Sequence, residues 1–460
     1  MLLLSHGRNC FFISYLVYVY IFCRLSSGSG ISMRTTITRA KKIRGAVQLP
    51  GDKSISHRLG MLGGIAEGKT IIDNFATSQD CHSTLSCLRL LGTPIEIMHG
   101  TQISIRGKGL EGLTASKEVL DAGNSGSTIR MLSGILSGQS FVTRISGDDS
   151  LCQRPMKRII TPLTQMGAKI HARKGNFPPL SIEGGALQAI QYSLPVASAQ
   201  LKSAILLAGL FAEGETEVIE PSPTRNHTEV ALKEFGVEVN IRENRIALRG
   251  RQRIHAIHTE VPGDISSAAF FIAAATLLPD SEIILQGVGL NPGRRAIVDL
   301  LQKMGASIET LDQLQRGGEP AGDLRIRSAT LKGGKISGEQ IPQVIDEIPI
   351  LAVLATQTHE GLEIRDAEEL RVKESDRIKS LVENLRAMGA TVEEFEDGMF
   401  VAGRQSLRGS LINSYGDHRI AMAFAIAGLL AQGETVIEGG ECAAVSFPEF
   451  FETLSRLTVR

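Results

Sequence analysis

The sequence predicts an α/β protein built from six similar units, grouped as two lobes of three. Three observations predict it. The phrase Leu-x-x-x-Gly followed by an alternating tail recurs at LRLLGTPI (88–95), LTQMGAKI (163–170), LKEFGVEV (232–239), LQKMGASI (301–308) and LRAMGATV (385–392). An Ala/Leu/Ile-rich stretch, a small break and a short strand-like run recur in GGIAEGKTIIDNF, GILSGQSFVTRIS, LLAGLFAEGETEVIE, AAATLLPDSEIILQG, AVLATQTHEGLEIRD and IAGLLAQGETVIEGG. The phrase Pro-Gly-Asp follows Leu49 and returns within VPGDISSAA (261–269).

Each element follows from local physics. The Gly of the first phrase suits a helix C′ position, where left-handed backbone carries no Cβ penalty. Each copy therefore reads as a helix end feeding a strand. The helices of the second phrase are apolar nearly all round, so they are expected to be buried. The strands after them alternate with period two. Such units differ from a dinucleotide-binding array, in which Gly-rich loops follow strands. Copies about 70 residues apart divide naturally into three and three. The second Pro-Gly-Asp marks the crossing between the groups. GGIAEGKT (63–70) fits a phosphate-loop expression, but its order is helix and then strand, the reverse of what that loop requires. It reads as a turn.

Composition bounds the function. A chain of 460 residues suggests roughly two or three domains, and 42% hydrophobic residues supply a large core. A formal net charge of zero argues against a nucleic-acid partner, and five Tyr with no Trp offer few stacking platforms. The six Cys form no CxxC pair and no zinc spacing, so they read as free thiols in a reducing, cytoplasmic setting. Residues 1–32 look foreign to the rest. Phe11–Cys23 is an apolar run too short to span a membrane comfortably. Arg8 before it and SSGSG after it resemble a signal-peptide core. Met33, however, opens a natural-looking start. We read 1–32 as a mis-called start or non-core extension, in preference to an export signal or an organelle address, and expect no membrane association.

The chemistry lies at helix starts. These are DKSISHR (52–58), GNSGSTIR (123–130) with Asn124 or Ser125 as cap, RPMKR (154–158), SAQLKS (198–203), TRNHTE (224–229), KESDR (373–377) and GDHR (416–419). Unpaired amides give a helix start partial positive charge. Added Lys, Arg, Ser and Asn make an anion site. Several such starts on repeated units imply one cleft for small ligands bearing several anionic groups. Asp346, Glu347 and Glu374 lie among these cations and can act in acid–base chemistry. No metal-ligand spacing and no GxSxG elbow compete. The expected reaction is acid–base group transfer without a metal, cofactor or covalent nucleophile.

PGDKSISHR, GNSGSTIRML, QRPMKRIITPLTQMGAKI, VASAQLKSAILLAGL, RVKESDRI and YGDHRIAMA, in this order across Met33 to Arg460, resemble the 5-enolpyruvylshikimate-3-phosphate synthase family. The resemblance implies a two-lobed inside-out α/β barrel of six βαβαββ units. Residues 33–52 plus 263–460 would form one lobe and 53–262 the other, with the active site between them. It implies a monomer that transfers the enolpyruvyl group of phosphoenolpyruvate to the 5-hydroxyl of shikimate 3-phosphate. By resemblance, Lys53 touches both substrates and is a candidate proton donor. Ser54 and Arg58 are similar to shikimate-3-phosphate ligands. Asn124, Gly126, Arg154 and Gln200 would frame phosphoenolpyruvate. Ser198, Ala199 and Arg225 would lie along the shikimate phosphate. Asp346 resembles the base for the 5-hydroxyl, and Glu374 the second acid–base group. Lys373 would hold the ring. Arg377 and Arg419, with His418 close by, would clamp the phosphoenolpyruvate carboxylate.

Two positions qualify the resemblance. Many members carry Lys before Thr-Phe-Pro near the C-terminus, where this chain has Val445 in AAVSFP. Gly126 stands where some glyphosate-tolerant members have Ala, which implies glyphosate sensitivity. The rival within the fold is the transferase acting on UDP-N-acetylglucosamine. Its Lys-Asn pair and mobile-loop Cys are absent here, where Lys53 precedes Ser54 and no Cys lies near 115.

Overall fold

The computed structural model describes residues 34–460, so the run at 11–23 and Met33 lie outside the described residues. The fold is mixed α/β. Six apolar helices form its interior: α1 (Lys53–Ile65), α2 (Gly126–Ser137), α3 (Ala199–Gly209), α4 (Ile265–Leu277), α5 (Ile348–Ala355) and α6 (His418–Leu430). Every residue of α4 from Ile265 to Thr276 is buried, and every residue of α6 from His418 to Leu429. Burial on all faces is what their composition requires. α4, α5 and α6 touch one another, and α2 packs on both α1 and α3. The α2–α3 contact is close enough that a Cβ at Gly134 would overlap the Ala204 carbonyl oxygen.

Each interior helix leads into a strand: Glu67–Asp73, Val142–Ser146, Glu215–Ile219, Glu282–Gly289, Leu362–Ile364 and Glu434–Glu438. α1 followed by Glu67–Asp73 is helix and then strand, with Lys69 exposed, so GGIAEGKT is a turn. Each strand pairs in parallel with one neighbour and antiparallel with another; Val142–Ser146, for example, lies between Leu120–Asp121 and Phe177–Glu183. The same pattern places Lys42–Gln48 beside Glu282–Gly289, and His258–Glu260 beside Glu67–Asp73. The five Leu-x-x-x-Gly glycines all take left-handed backbone: φ is 84° at Gly92, 114° at Gly167, 83° at Gly236, 107° at Gly305 and 84° at Gly389.

Buried apolar side chains gather into two cores. One holds residues of 37–49 and 265–457, the other residues of 55–261. The chain crosses between them twice, side by side. Asp52 N–H donates to the Pro262 carbonyl at 2.8 Å and Asp264 N–H to the Pro50 carbonyl at 3.0 Å. Both Pro-Gly-Asp phrases are thus one paired joint, and the helix starts of the two cores face each other across it. Among the described residues no helix is long and apolar enough to cross a membrane.

Candidate active site

The helix starts are built by their caps. The Asp52 carboxylate accepts from the Ile55 N–H at 3.0 Å and starts α1 at Lys53. Ser125, not Asn124, caps α2 through the Thr128 N–H at 3.1 Å. Ser198 accepts from Leu201 N–H at 3.4 Å at the head of α3, directly before Ala199. Asp376 caps the helix Arg377–Ala387 and Asp417 caps α6. A short side chain accepting at each start leaves the next side chain free to project from the helix end.

These side chains converge across the boundary between the cores. Arg225, from the 55–261 side, puts Nη2 2.5 Å from Asp346 Oδ2, on the opposite side. Arg377 Nη1 lies 3.7 Å from Asp346 Oδ1. Arg419 Nη1 donates to the Asp346 carbonyl at 2.6 Å. Glu374 is held between Arg377, at 2.6 Å, and Arg154 of the other core, at 3.5 Å. Arg154 also donates to Asn124 Oδ1 at 2.8 Å. Gln200 accepts from Arg130 at 2.9 Å and donates to Ser127 at 3.0 Å, which joins α2 to α3. Lys53 Nζ rests 2.9 Å from Asp80.

Electrostatics assigns protonation states. Burial pushes the Asp346 carboxyl up, but Arg419, Arg225, Lys373 and Arg377 outweigh it and hold the group well below the usual carboxylate range. Glu374 is the same case: burial opposes ionisation, and Arg377, Arg154, His418 and Lys373 overcome it. Both are therefore ionised carboxylates, which become stronger bases only as those cations are drawn away. Burial works against the Lys53 charge, yet Asp80 outweighs it and raises the pKa, so Lys53 carries a proton to give. Burial, then Lys53 and Arg419, hold the His418 imidazole well below its ordinary value. It is neutral, and among the described residues neither ring nitrogen has a partner.

Several expected residues sit differently. Arg58 is buried and donates to the Ser54 carbonyl, Thr228 and Ser203 at 2.8, 2.6 and 2.8 Å. It braces α1 from within, and burial pushes its pKa down to about 10. Ser54 is half-buried beside it. Lys373 pairs with Glu369 at 3.1 Å at the cleft rim. Lys202, grouped with the anion-binding starts from SAQLKS, instead lies buried between Glu220 at 3.0 Å and Glu229 at 2.7 Å. His227, from TRNHTE, is likewise buried, 2.7 Å from Glu319. Val445 ends a short turn of helix, Gly440–Val445, and offers no charge.

Sequence reasoning passed over Arg130, Asp80 and Asp417. Arg130 is enclosed, with its pKa pushed down to about 10 by burial and by Arg154. A Cβ at Gly126 would come 2.6 Å from Arg130 Nη1. Its signal lay in the quoted GNSGSTIR, four residues after Gly126 and so on the same helix face. Asp417 receives Arg377 Nε at 2.8 Å. Among the described residues no group of three or more His, Cys, Asp or Glu is placed to hold a metal ion. The arrangement can bind ligands with several anionic groups while two carboxylates and one ammonium exchange protons with them.

Comparison with known proteins gives the same direction. Residues 37–454 match the family model described as EPSP synthase (3-phosphoshikimate 1-carboxyvinyltransferase). A 3-phosphoshikimate 1-carboxyvinyltransferase of Solibacter usitatus is 56% identical over 92% of this chain and 100% of its own length. One from Bacillus cereus is 51% identical over 90% of this chain and 97% of its own. Among solved structures, EPSP synthase of Acinetobacter baumannii superposes with a TM-score of 0.83 at 43% identity, covering 93% of this chain and 98% of that one.

Proposed function

The chain belongs to the EPSP synthase family, and on that premise we propose how its residues divide the reaction. It is a 3-phosphoshikimate 1-carboxyvinyltransferase. It transfers the enolpyruvyl group of phosphoenolpyruvate to the 5-hydroxyl of shikimate 3-phosphate, releasing phosphate, on the route to aromatic amino acids. The relatives favour this reading over the UDP-N-acetylglucosamine transferase.

In the proposed sequence, Asp346 takes the 5-hydroxyl proton as that oxygen attacks C2 of phosphoenolpyruvate. Lys53 gives a proton to C3, and a tetrahedral adduct forms. Glu374 then removes a proton from C3 as the C2–O bond to phosphate breaks. Arg154, Arg377 and Arg419 neutralise the carboxylate and phosphate, with His418 filling the space between them as a neutral ring. Asn124, Gly126 and Gln200 frame the same ligand. Arg225, Ser198 and Ala199 take the shikimate phosphate, Ser54 and Arg58 are further shikimate-3-phosphate ligands, and Lys373 holds the ring. Bidentate guanidinium groups suit this anion recognition.

The observation that carries the reading is Asp346, an ionised carboxylate of one core held by Arg225 of the other at 2.5 Å. A substrate phosphate drawing off Arg225 frees the base where the hydroxyl arrives. The test is phosphate release from both substrates with purified 33–460 and its Asp346→Ala variant, alongside calorimetric binding of shikimate 3-phosphate. Turnover is expected to fall about 10²–10⁴-fold with binding largely kept, the range for a general base. Binding lost as heavily as rate would overturn the role.

The same reading extends to architecture. Lobes of 33–52 plus 263–460 and of 53–262 are supported by the two separate cores. Six βαβαββ units in an inside-out barrel are supported by the strand order that the sheets share. A cytoplasmic monomer, with neither nucleic acid nor membrane as partner, accords with balanced charge and with the free Cys81, Cys87, Cys152 and Cys442.

A further inference from the structure

One buried cation stands at the joint of the two cores, within ion-pair distance of the proposed base. Arg294 follows the strand Glu282–Gly289 and is 4% exposed. Its Nη1 is 4.0 Å from Asp346 Oδ2. Its Nη2 donates to Ser266 Oγ at 2.6 Å, and lies 3.7 Å from Asp264 and 4.0 Å from Asp52. Those two aspartates are the caps of α4 and α1 and belong to the two chain crossings. Ser266 Oγ in turn donates to Glu347 Oε1, and Glu347 is the neighbour of Asp346. One guanidinium therefore reaches both crossings, the base, and the residue beside the base.

The other cations on Asp346 have competing duties. Arg419, Arg225, Lys373 and Arg377, the cations that hold Asp346 ionised, are all assigned to substrate groups, so they redirect their donors when the cleft fills. Arg294 is enclosed by protein carboxylates and a hydroxyl, and the proposed reaction assigns it no substrate group. It is the member of the set that keeps its place through the cycle. A carboxylate left without an oriented partner turns about its own bonds, and misplacement near 1 Å is enough to cost rate.

We propose that Arg294 is a positioning residue, fixing the Asp346 carboxylate to the joint between the cores while Arg225 is drawn away to the substrate phosphate. This rests on Asp346 being the base. Arg294 is assigned no contact with substrate, so its effect belongs in turnover and in the titration of the base.

The experiment compares Arg294→Gln, Arg294→Lys and Asp346→Asn in steady-state phosphate release across pH. Calorimetric shikimate-3-phosphate binding and thermal melts are measured alongside. Arg294→Gln is expected to lower kcat about 10–100-fold, with both KM values within about threefold. Its acid limb of kcat moves to higher pH, because a cation beside the base has gone. Arg294→Lys, which keeps the charge, is expected to return the acid limb toward wild type while kcat stays reduced. A kcat and acid limb unmoved in both Arg294 variants, with Asp346→Asn inactive, would overturn the proposal and leave the base assignment standing. So would a loss confined to the shikimate-3-phosphate KM, or a loss that only tracks unfolding in both variants. Full turnover by Asp346→Asn would overturn the base assignment and this proposal together.

Discussion

The chain passes between its cores through Pro50-Gly51-Asp52 and again through Pro262-Gly263-Asp264, and the helices that follow have diverged. Both aspartates cap, and both crossings pair with each other. After Asp52 comes Lys53, whose ammonium stands at the edge of the cleft beside Asp80. After Asp264 comes Ile265, 1% exposed, in a helix with no charge in its buried run. The cap fixes where a helix starts and which way its amides point. The residue just inside the cap decides whether that start meets a ligand or the core.

The sharpest way to break this comparison is to exchange the two first residues. Lys53→Met keeps the apolar stem and removes the ammonium, so kcat/KM is expected to fall about 10²–10⁴-fold, with a lowered thermal melt from the Asp80 carboxylate left without its partner. Ile265→Lys buries an ammonium at a position 1% exposed, at a cost of about 3 kcal/mol or more, visible as a lowered denaturation midpoint. Near-wild-type turnover in Lys53→Met would show that the two starts are equivalent and that the proton comes from elsewhere.

The same distinction explains what the sequence disclosed. The five C′ glycines, the buried helices and the capped starts depend on residues within one turn of each other, so they were legible. So was the convergence of Lys53, Asp346, Glu374 and Arg377. Lys202 misled because it is the fourth residue of α3, a full turn inside its cap, where the helix faces Glu220 and Glu229 rather than the cleft. Arg58, the sixth residue of α1, lies as deep, and its hydrogen bonds to Thr228 and Ser203 could not be read from the sequence. Arg294 was invisible because NPGRR reads as a charged turn, while Asp52 and Asp346 approach it only through the fold.

A second test concerns the two glycines of the joint. A Cβ at Gly51 would run into the Asn74 carbonyl oxygen, a backbone atom that cannot step aside. A Cβ at Gly263 would meet Leu49 Cβ at 3.3 Å and the Gly287 carbonyl at 3.4 Å, which small shifts accommodate. Gly51→Ala is therefore expected to destabilise by about 3 kcal/mol and Gly263→Ala by less than about 1 kcal/mol. Equal losses in chemical denaturation would mean that the joint responds as one unit and not as two distinct strands.

The smallest difference lies in the caps themselves, and its sign separates them. Burial raises Asp52, but Arg294, His227 and the Ile55 N–H outweigh it, leaving its pKa below the ordinary 3.8. Its charge thus contributes stability that is present above pH 3.8 and lost as pH falls through the folded value. Burial raises Asp264, the Asp52 charge adds to it, and Arg294 offsets only part, so its pKa lies above 3.8. There the folded state holds the extra proton, and stability declines as pH rises from 3.8 through the raised value. Asn caps as well as Asp, so Asp→Asn isolates the charge. Asp52→Asn is expected to lose about 2 kcal/mol at pH 7, a deficit that closes only below pH 3.8. Asp264→Asn is expected to match or exceed wild type at pH 7, with the gap vanishing in acid. Urea titrations of both variants at pH 7 and below pH 3.8 measure it. A larger loss for Asp264→Asn than for Asp52→Asn at pH 7 would mean that Arg294 leans on the α4 cap, and that the joint is anchored from the opposite side.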